Sequence, residues 1–270
     1  MQHEGRPMAN HPNTNRFTRL LPGDTDKTFI GGVPFTAATP QSAVEQTLNL
    51  VRSRPSGGTD IHLLNVYSVA LATKDPQFAR CVQNAAINLP DGKPVAAVSL
   101  LFGNRLKQVR GPAFFEDVIS AGRHDNIRHF LLGSTPDTLS ALEQSLLKKY
   151  PGALIVGTLS PPFRDLTDTE RTEQDATIRN TGADIVWVGL GTPKQDYETR
   201  RLAEAGFTAA AVGAAFDFSA GRKLMAPKII QTLGLEWLHR LISEPKRLWR
   251  RYLWGNTTFV LLILRKLARR

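Results

Sequence analysis

Asp91 stands between Pro90 and Gly92, at the end of the apolar run AAINL (85–89). A carboxylate there, on a loop where glycine lets the backbone come close to a ligand, can serve as a general base. The same Pro-Asp-Gly triplet is also a turn signal, and an aspartate in it can cap a following helix, predicted over 93–102. Asn65 belongs to another run, IHLLNV (61–66), and offers its amide to sugar hydroxyls, to a base or to a helix start. The loop VGLGTPKQD (188–196) is richer in signals. Gly189 and Gly191 permit a tight exit from a strand, Thr192 and Pro193 open a helix, and Lys194 and Gln195 fall in its first turn. Exposed amides at a helix N-terminus beside a cation make an anion site, here suited to a diphosphate. Thr192 with Gln195 also fits a capping box, a pattern that leaves Lys194 unexplained. Asp217 follows VGAAF (212–216) at a further run end. Arg110 precedes a turn and a helix predicted over 114–121, where it can reach a phosphate or simply face solvent.

Other chemistries lack their signals. The stretch GLGTPK reads G-x-G-x-x-K, without the third glycine of the dinucleotide fingerprint, and neither GxxxxGK[ST] nor GxSxG occurs. The six histidines show no HExxH spacing. The D-x-D of Asp24 and Asp26 lies in a polar leader rather than at a strand end, so neither a metal nor an organic cofactor is expected. Cys81 is the single cysteine, which rules out an internal disulfide and a CxxC zinc site and fits a reducing compartment.

The elements that must position these side chains follow from apolar patterning. Short unbroken runs at 61–66, 85–89, 128–133, 153–159, 184–191 and 208–216 suit parallel strands covered on both faces. Between them lie helices with legible starts. Ser134 or Thr135 before Pro136 caps one whose inward residues are Leu139, Leu142, Leu146 and Tyr150, and Thr167 with Glu170 makes a capping box for the next. This alternation predicts an α/β fold, a Rossmann-like open sheet of about six parallel strands with helices on both faces. Ligands of such sheets bind outside the carboxyl ends of the strands, which is where Asn65, Asp91, the 188–196 loop and Asp217 fall.

A chain of 270 residues with 41% hydrophobic and 21% charged composition is globular, which excludes wholesale disorder, a coiled-coil rod and a collagen repeat. The net charge of +10 is carried entirely by residues 222–270, where 12 Lys and Arg face only Glu236 and Glu244. Three of the four tryptophans, Trp237, Trp249 and Trp254, lie there with many Leu and Ile. A basic segment with large apolar and aromatic residues at helical spacing suits a membrane-surface helix. A helix packed on its own core with a solvated basic face, or a nucleic-acid footprint weakened by the apolar load, are the alternatives. The octet TTFVLLIL (257–264) is too short to cross a bilayer but can dip into one leaflet. The expected organisation is a flexible leader (1–27) without a signal peptide, a catalytic body (28–225) and a basic amphipathic appendage (226–270).

These loops and this tail together resemble the WecG/TagA/CpsF family of glycosyltransferases, glycosyltransferase family 26. The resemblance is carried by Pro90-Asp91-Gly92, SPPFRDLT (160–167), GLGTPKQD (189–196), VGAAFDFSAG (212–221) and the run APKIIQTLGLEWLHRLISEPKRLWRRYLWGN (226–256), in the family's order. It implies an inverting transferase that moves a sugar from a UDP-sugar to a polyprenyl-diphosphate-linked saccharide in cell-surface polysaccharide synthesis, without a metal. It also implies a peripheral place on the cytoplasmic face of the inner membrane, with an anionic membrane surface rather than nucleic acid as partner, and allows a homo-oligomer. On that pattern Asp91 matches the general base, and Asn65, Arg110, Gln195 and Asp217 match pocket positions. Thr192 and Lys194 belong to the anion-binding helix start, and Arg240, Arg247 and Arg250 are the arginines the appendage lends to the pocket. Leu63 stands where many members carry Thr, which bears on the identity of the sugar. A catalytically silent membrane-bound α/β module is the competing reading.

Overall fold

The computed structural model describes residues 27–53 and 57–268; the leader through residue 26, with Asp24 and Asp26, lies outside the described residues. The described chain opens with an antiparallel hairpin that the run pattern does not announce, β1 (Lys27–Ile30) and β2 (Val33–Thr36). Gly31 and Gly32 form its two-residue turn at φ of 62° and 82°, a conformation glycine adopts without steric cost. After α1 (Pro40–Ser53) come β3 (Thr59–Leu64), α2 (Val66–Ala72), α3 (Pro76–Gln83), β4 (Ile87–Pro90), α4 (Lys93–Val98) and α5 (Gly111–Gly122). The chain continues through β5 (Arg128–Gly133), α6 (Pro136–Lys149), β6 (Leu154–Leu159), α7 (Asp168–Asn180), β7 (Ile185–Gly189), α8 (Lys194–Glu204), β8 (Thr208–Ala211) and α9 (Ala215–Ser219). Three helices close it: α10 (Lys228–Leu233), α11 (Glu236–Ser243) and α12 (Pro245–Leu267).

The six apolar runs are the six strands of one parallel sheet, in the order β4-β3-β8-β7-β5-β6. The Rossmann-like α/β expectation is therefore met. Strand limits differ where glycine intervenes: the run 208–216 stops as a strand at Ala211, because Gly213 turns at φ 56° and Ala215–Ser219 winds into α9. Two helix starts match the sequence. Thr135 caps α6, and Thr167 with Glu170 forms a complete capping box on α7. On α6, Leu139, Leu142 and Leu146 are buried and Tyr150 packs beside them.

Apolar side chains fill both sides of the sheet. Leu48, Phe115, Leu142, Trp187 and Phe216 pack on one side, and Phe130, Ile178, Val186 and Leu202 on the other. A third cluster joins the hairpin to α2, α3 and α12 through Ile30, Phe35, Val69, Phe78 and Phe259. Each fully buried Leu or Phe stabilises by roughly 1.5–3 kcal/mol, so this third cluster is what seats α12 against the body. Among the described residues, no helix is long and apolar enough to cross a membrane.

Candidate active site

A cavity of about 350 Å³ lies over the carboxyl ends of β3 and β4, roofed by α11 and α12. Asp91 is at its floor. The Asp91 amide donates to the Leu64 carbonyl (2.9 Å), extending the β3–β4 pairing by one step, and the Val109 amide donates to the Pro90 carbonyl (2.9 Å), which brings Arg110 in beside it. Gly92, not Asp91, takes the N-cap of α4 and no side chain caps that helix. The carboxylate is therefore left over for the cavity. Burial is the largest influence on it and pushes its pKa up to about 6. Arg240 opposes that rise, Glu236 adds to it, and the Gly111 amide and Arg110 oppose it further.

Asn65 lines the same cavity. Its Oδ1 accepts from the amides of Tyr67 (3.0 Å) and Ser68 (3.3 Å), completing a capping box with Ser68 at the start of α2. The acceptor is spent on the helix, so the amide nitrogen is the group it can offer a ligand. Arg110 also lines the cavity, and its guanidinium donates to Gln231 Oε1 (2.6 Å) and Glu236 Oε2 (3.0 Å). Arg240 enters from α11 and lies over the Phe218 ring at 5.7 Å. The lining also includes the apolar and aromatic side chains of Val66, Tyr67, Trp237, Tyr252 and Phe259. One space thus joins two carboxylates, Asp91 and Glu236, and two arginines to apolar and aromatic side chains.

The remaining candidates stand elsewhere. A second cavity of about 410 Å³ lies over the ends of β5, β6 and β7, between Ser134, Pro161, Phe163, Arg164, Gly189 and Lys194. Lys194 is exposed there with Asp165 at 3.8 Å, and Phe163 projects almost freely at 84% exposure. Helix α8 begins at Lys194 with Pro193 as N-cap, so the expected Thr192–Gln195 capping box is not formed. Pro193 has no hydroxyl to cap with, and Thr192 sits one residue too early. The buried Gln195 instead accepts from the Gly191 amide (3.0 Å) and approaches Thr192 Oγ1 (3.5 Å), bracing the loop. Gly213 faces Gln195 so closely that a Cβ would lie 3.0 Å from Oε1. Asp217 pairs with Lys223 (2.7 Å), which also reaches Glu244 (3.1 Å), linking α9 to the start of α12. Arg247 pairs with Glu244, and Arg250 stacks on Trp249 at 5.2 Å. Both are exposed and neither lines a cavity described here, because they fall on the outer side of α12.

Residues 28–270 match the sequence profile of the glycosyl transferase WecG/TagA/CpsF family. The chain belongs to this family. It is a glycosyltransferase, and the match runs on through all three C-terminal helices, so the roof over Asp91 is part of the family's pattern.

For a transferase of this family, several groups around Asp91 escaped the residue-by-residue reading. Glu236 and Trp237 come from the roof, Gln231 reaches Arg110 from α10, and Lys93 donates its Nζ to the Thr232 carbonyl. Arg251, from α12, lies 4.1 Å over the ring of Tyr67, which lines the cavity. A signal for Glu236 was present: it is one of two acids in a stretch with 12 cations. Among the described residues, no three His, Cys, Asp or Glu side chains converge as metal ligands. The cations named above are the groups on hand to meet phosphate charge.

Proposed function

We propose that Asp91 is the general base of an inverting transfer from a UDP-sugar to a polyprenyl-diphosphate-linked saccharide, in cell-surface polysaccharide synthesis. The observation that carries this reading is a half-buried carboxylate with a pKa of about 6, at a strand end, between Arg110 and Arg240. Such a group is charged at neutral pH yet basic enough to accept a proton. The acceptor hydroxyl attacks the anomeric carbon of the donor, its proton passes to the Asp91 carboxylate, and the bond from that carbon to the UDP oxygen breaks on the opposite face. Asn65 donates to a sugar hydroxyl.

The leaving UDP gains negative charge that preorganised donors stabilise. Lys194 and the Thr192 turn, held by Gln195, supply them along the strand ends without a metal, with Arg110 and Arg240 on the Asp91 side. The exposed Phe163 offers an aromatic face for the base at the far side of the second cavity. Asp217 and Arg247 act through the Lys223 and Glu244 pairs that join body to appendage, and Arg250, stacked on Trp249, adds to the outward cationic face of the appendage. The appendage, residues 226–270, holds the enzyme peripherally on the cytoplasmic face of the inner membrane, where the lipid-linked acceptor resides.

A panel of UDP-sugars with one polyprenyl-diphosphate-linked acceptor, read by the mass of the lipid product, tests this. One donor is expected to extend the lipid, and Asp91→Asn to lower kcat by roughly 10²–10⁴. Undiminished turnover in Asp91→Asn removes Asp91 from the mechanism, and no product with any donor favours a silent binding module.

A further inference from the structure

Arg110 comes from the body of the protein, yet both partners of its guanidinium come from the C-terminal helices: Gln231 on α10 and Glu236 on α11. Glu236 is the acidic side chain that the C-terminal helices contribute to this cavity, where Lys93, Arg110 and Arg240 also converge. The arginines are incompletely satisfied, since the Nε atoms of Arg110 and Arg240 are both buried with no hydrogen-bond partner. Buried guanidinium donors left unpaired in a closed space are costly and favour an incoming anion. A carboxylate and a phosphate present the same pair of oxygens to a guanidinium fork.

We propose that Glu236 is a positioning residue that holds, on Arg110, the place a substrate diphosphate takes, so that diphosphate binding and the Glu236–Arg110 ion pair compete. This rests on the reading of the cavity as the transfer site. Two anions cannot share one guanidinium without repulsion, so diphosphate entry moves the Glu236 carboxylate away while Arg240, on the same helix, stays beside the cavity. By reciprocity, whatever moves the Glu236 carboxylate off Arg110 with Arg240 in place raises affinity for the diphosphate by the same factor. Both substrates carry a diphosphate, and the probes distinguish them.

The test uses the full chain and calorimetric binding of two probes, UDP and geranyl diphosphate. Glu236→Gln keeps an acceptor for Arg110 and the side-chain volume but removes the charge. At least one probe is expected to bind about tenfold tighter to this variant, and the gain to vanish when Arg110→Gln is added. A gain confined to UDP places the donor on Arg110, and one confined to geranyl diphosphate places the acceptor there. Unchanged or weaker binding of both probes, no measurable binding, or a gain that survives Arg110→Gln overturns the proposal. In turnover, KM for the tightened substrate falls more than kcat changes, whereas a purely structural Glu236 would lower kcat and the melting temperature together. Glu236→Ala, which removes the carboxylate altogether, carries the same expectation and stands in should Glu236→Gln fail to fold. Binding is read without turnover, so a chain that transfers no sugar defeats the catalytic reading and leaves this result standing.

Discussion

At the scale of single residues, Asp91 carries opposite demands from the proposed chemistry and from folding. Its folded pKa of about 6 lies above the ordinary 3.8, so the fold disfavours the carboxylate that the proposed reaction needs. Stability linked to this group is full below about pH 4 and is lost as pH rises through 6. Asp91→Asn is therefore expected to raise unfolding free energy at pH 7.5 by about 1–3 kcal/mol in urea titrations, while abolishing the pH dependence between 4 and 6 that the group contributes. A destabilised variant would mean that the carboxylate is held by contacts stronger than its desolvation. Asp91 was legible because Pro-Asp-Gly after an apolar run marks a strand end. Its freedom from capping was not, since that depends on which way the side chain turns once Gly92 becomes the N-cap.

At the scale of elements, β3 is tied to α8 by an ionic cluster beneath the loop that carries Lys194. The fully buried His62 sits between Asp196 (3.1 Å) and Asp60 (3.2 Å), and Asp60 also meets Arg200 (3.4 Å). Burial works against its charge, but the two carboxylates outweigh that and raise its pKa to about 9. Its protonation contributes stability in full below about pH 6.5 and is lost as pH rises through 9. Thermal melts are expected to fall over that range in the native protein and to stay flat in His62→Gln, which leaves two buried carboxylates facing each other and costs about 3–5 kcal/mol. A native protein with no such slope would show that His62 is neutral in the fold. Nothing in the sequence flags this cluster, because His62 and Asp196 are 134 residues apart in the chain and meet only when α8 crosses β3. The β1–β2 hairpin is a different omission. Gly31-Gly32 between apolar residues was a readable turn signal.

At the scale of the whole molecule, α12 separates two surfaces. Leu248, Gly255 and Phe259 are buried against the body, while Trp249, Leu253, Val260 and Leu264 form an exposed stripe at helical spacing. In a chain whose last 49 residues hold 12 Lys and Arg, the stripe has the makeup of an interfacial anchor. The triple variant Trp249→Ser, Leu253→Ser, Leu264→Ser is expected to lose at least tenfold in flotation with anionic liposomes. Its melting temperature should change little, since these side chains cover no core. Equal flotation of variant and native protein would place membrane contact elsewhere.

Apolar runs of strand length separated by capped amphipathic stretches determined the six parallel strands, because a buried parallel strand requires an unbroken apolar segment and a helix start requires an N-cap. Those same run ends placed Asn65 and Asp91 at strand ends and Lys194 in the helix turn that follows one, on the edge where ligands of such sheets are expected. Strand order was decided only in three dimensions: β4 pairs with β3, which puts Asn65 and Asp91 over one cavity, and β8 lies between β3 and β7, which leaves Lys194 over another. Which tail cation faces the site was likewise tertiary. Arg240 turns inward while Arg247 and Arg250 face out, since the docking of α12 on α2 and the hairpin, and of α11 on α12, sets the rotation of each helix, and charge composition is blind to rotation.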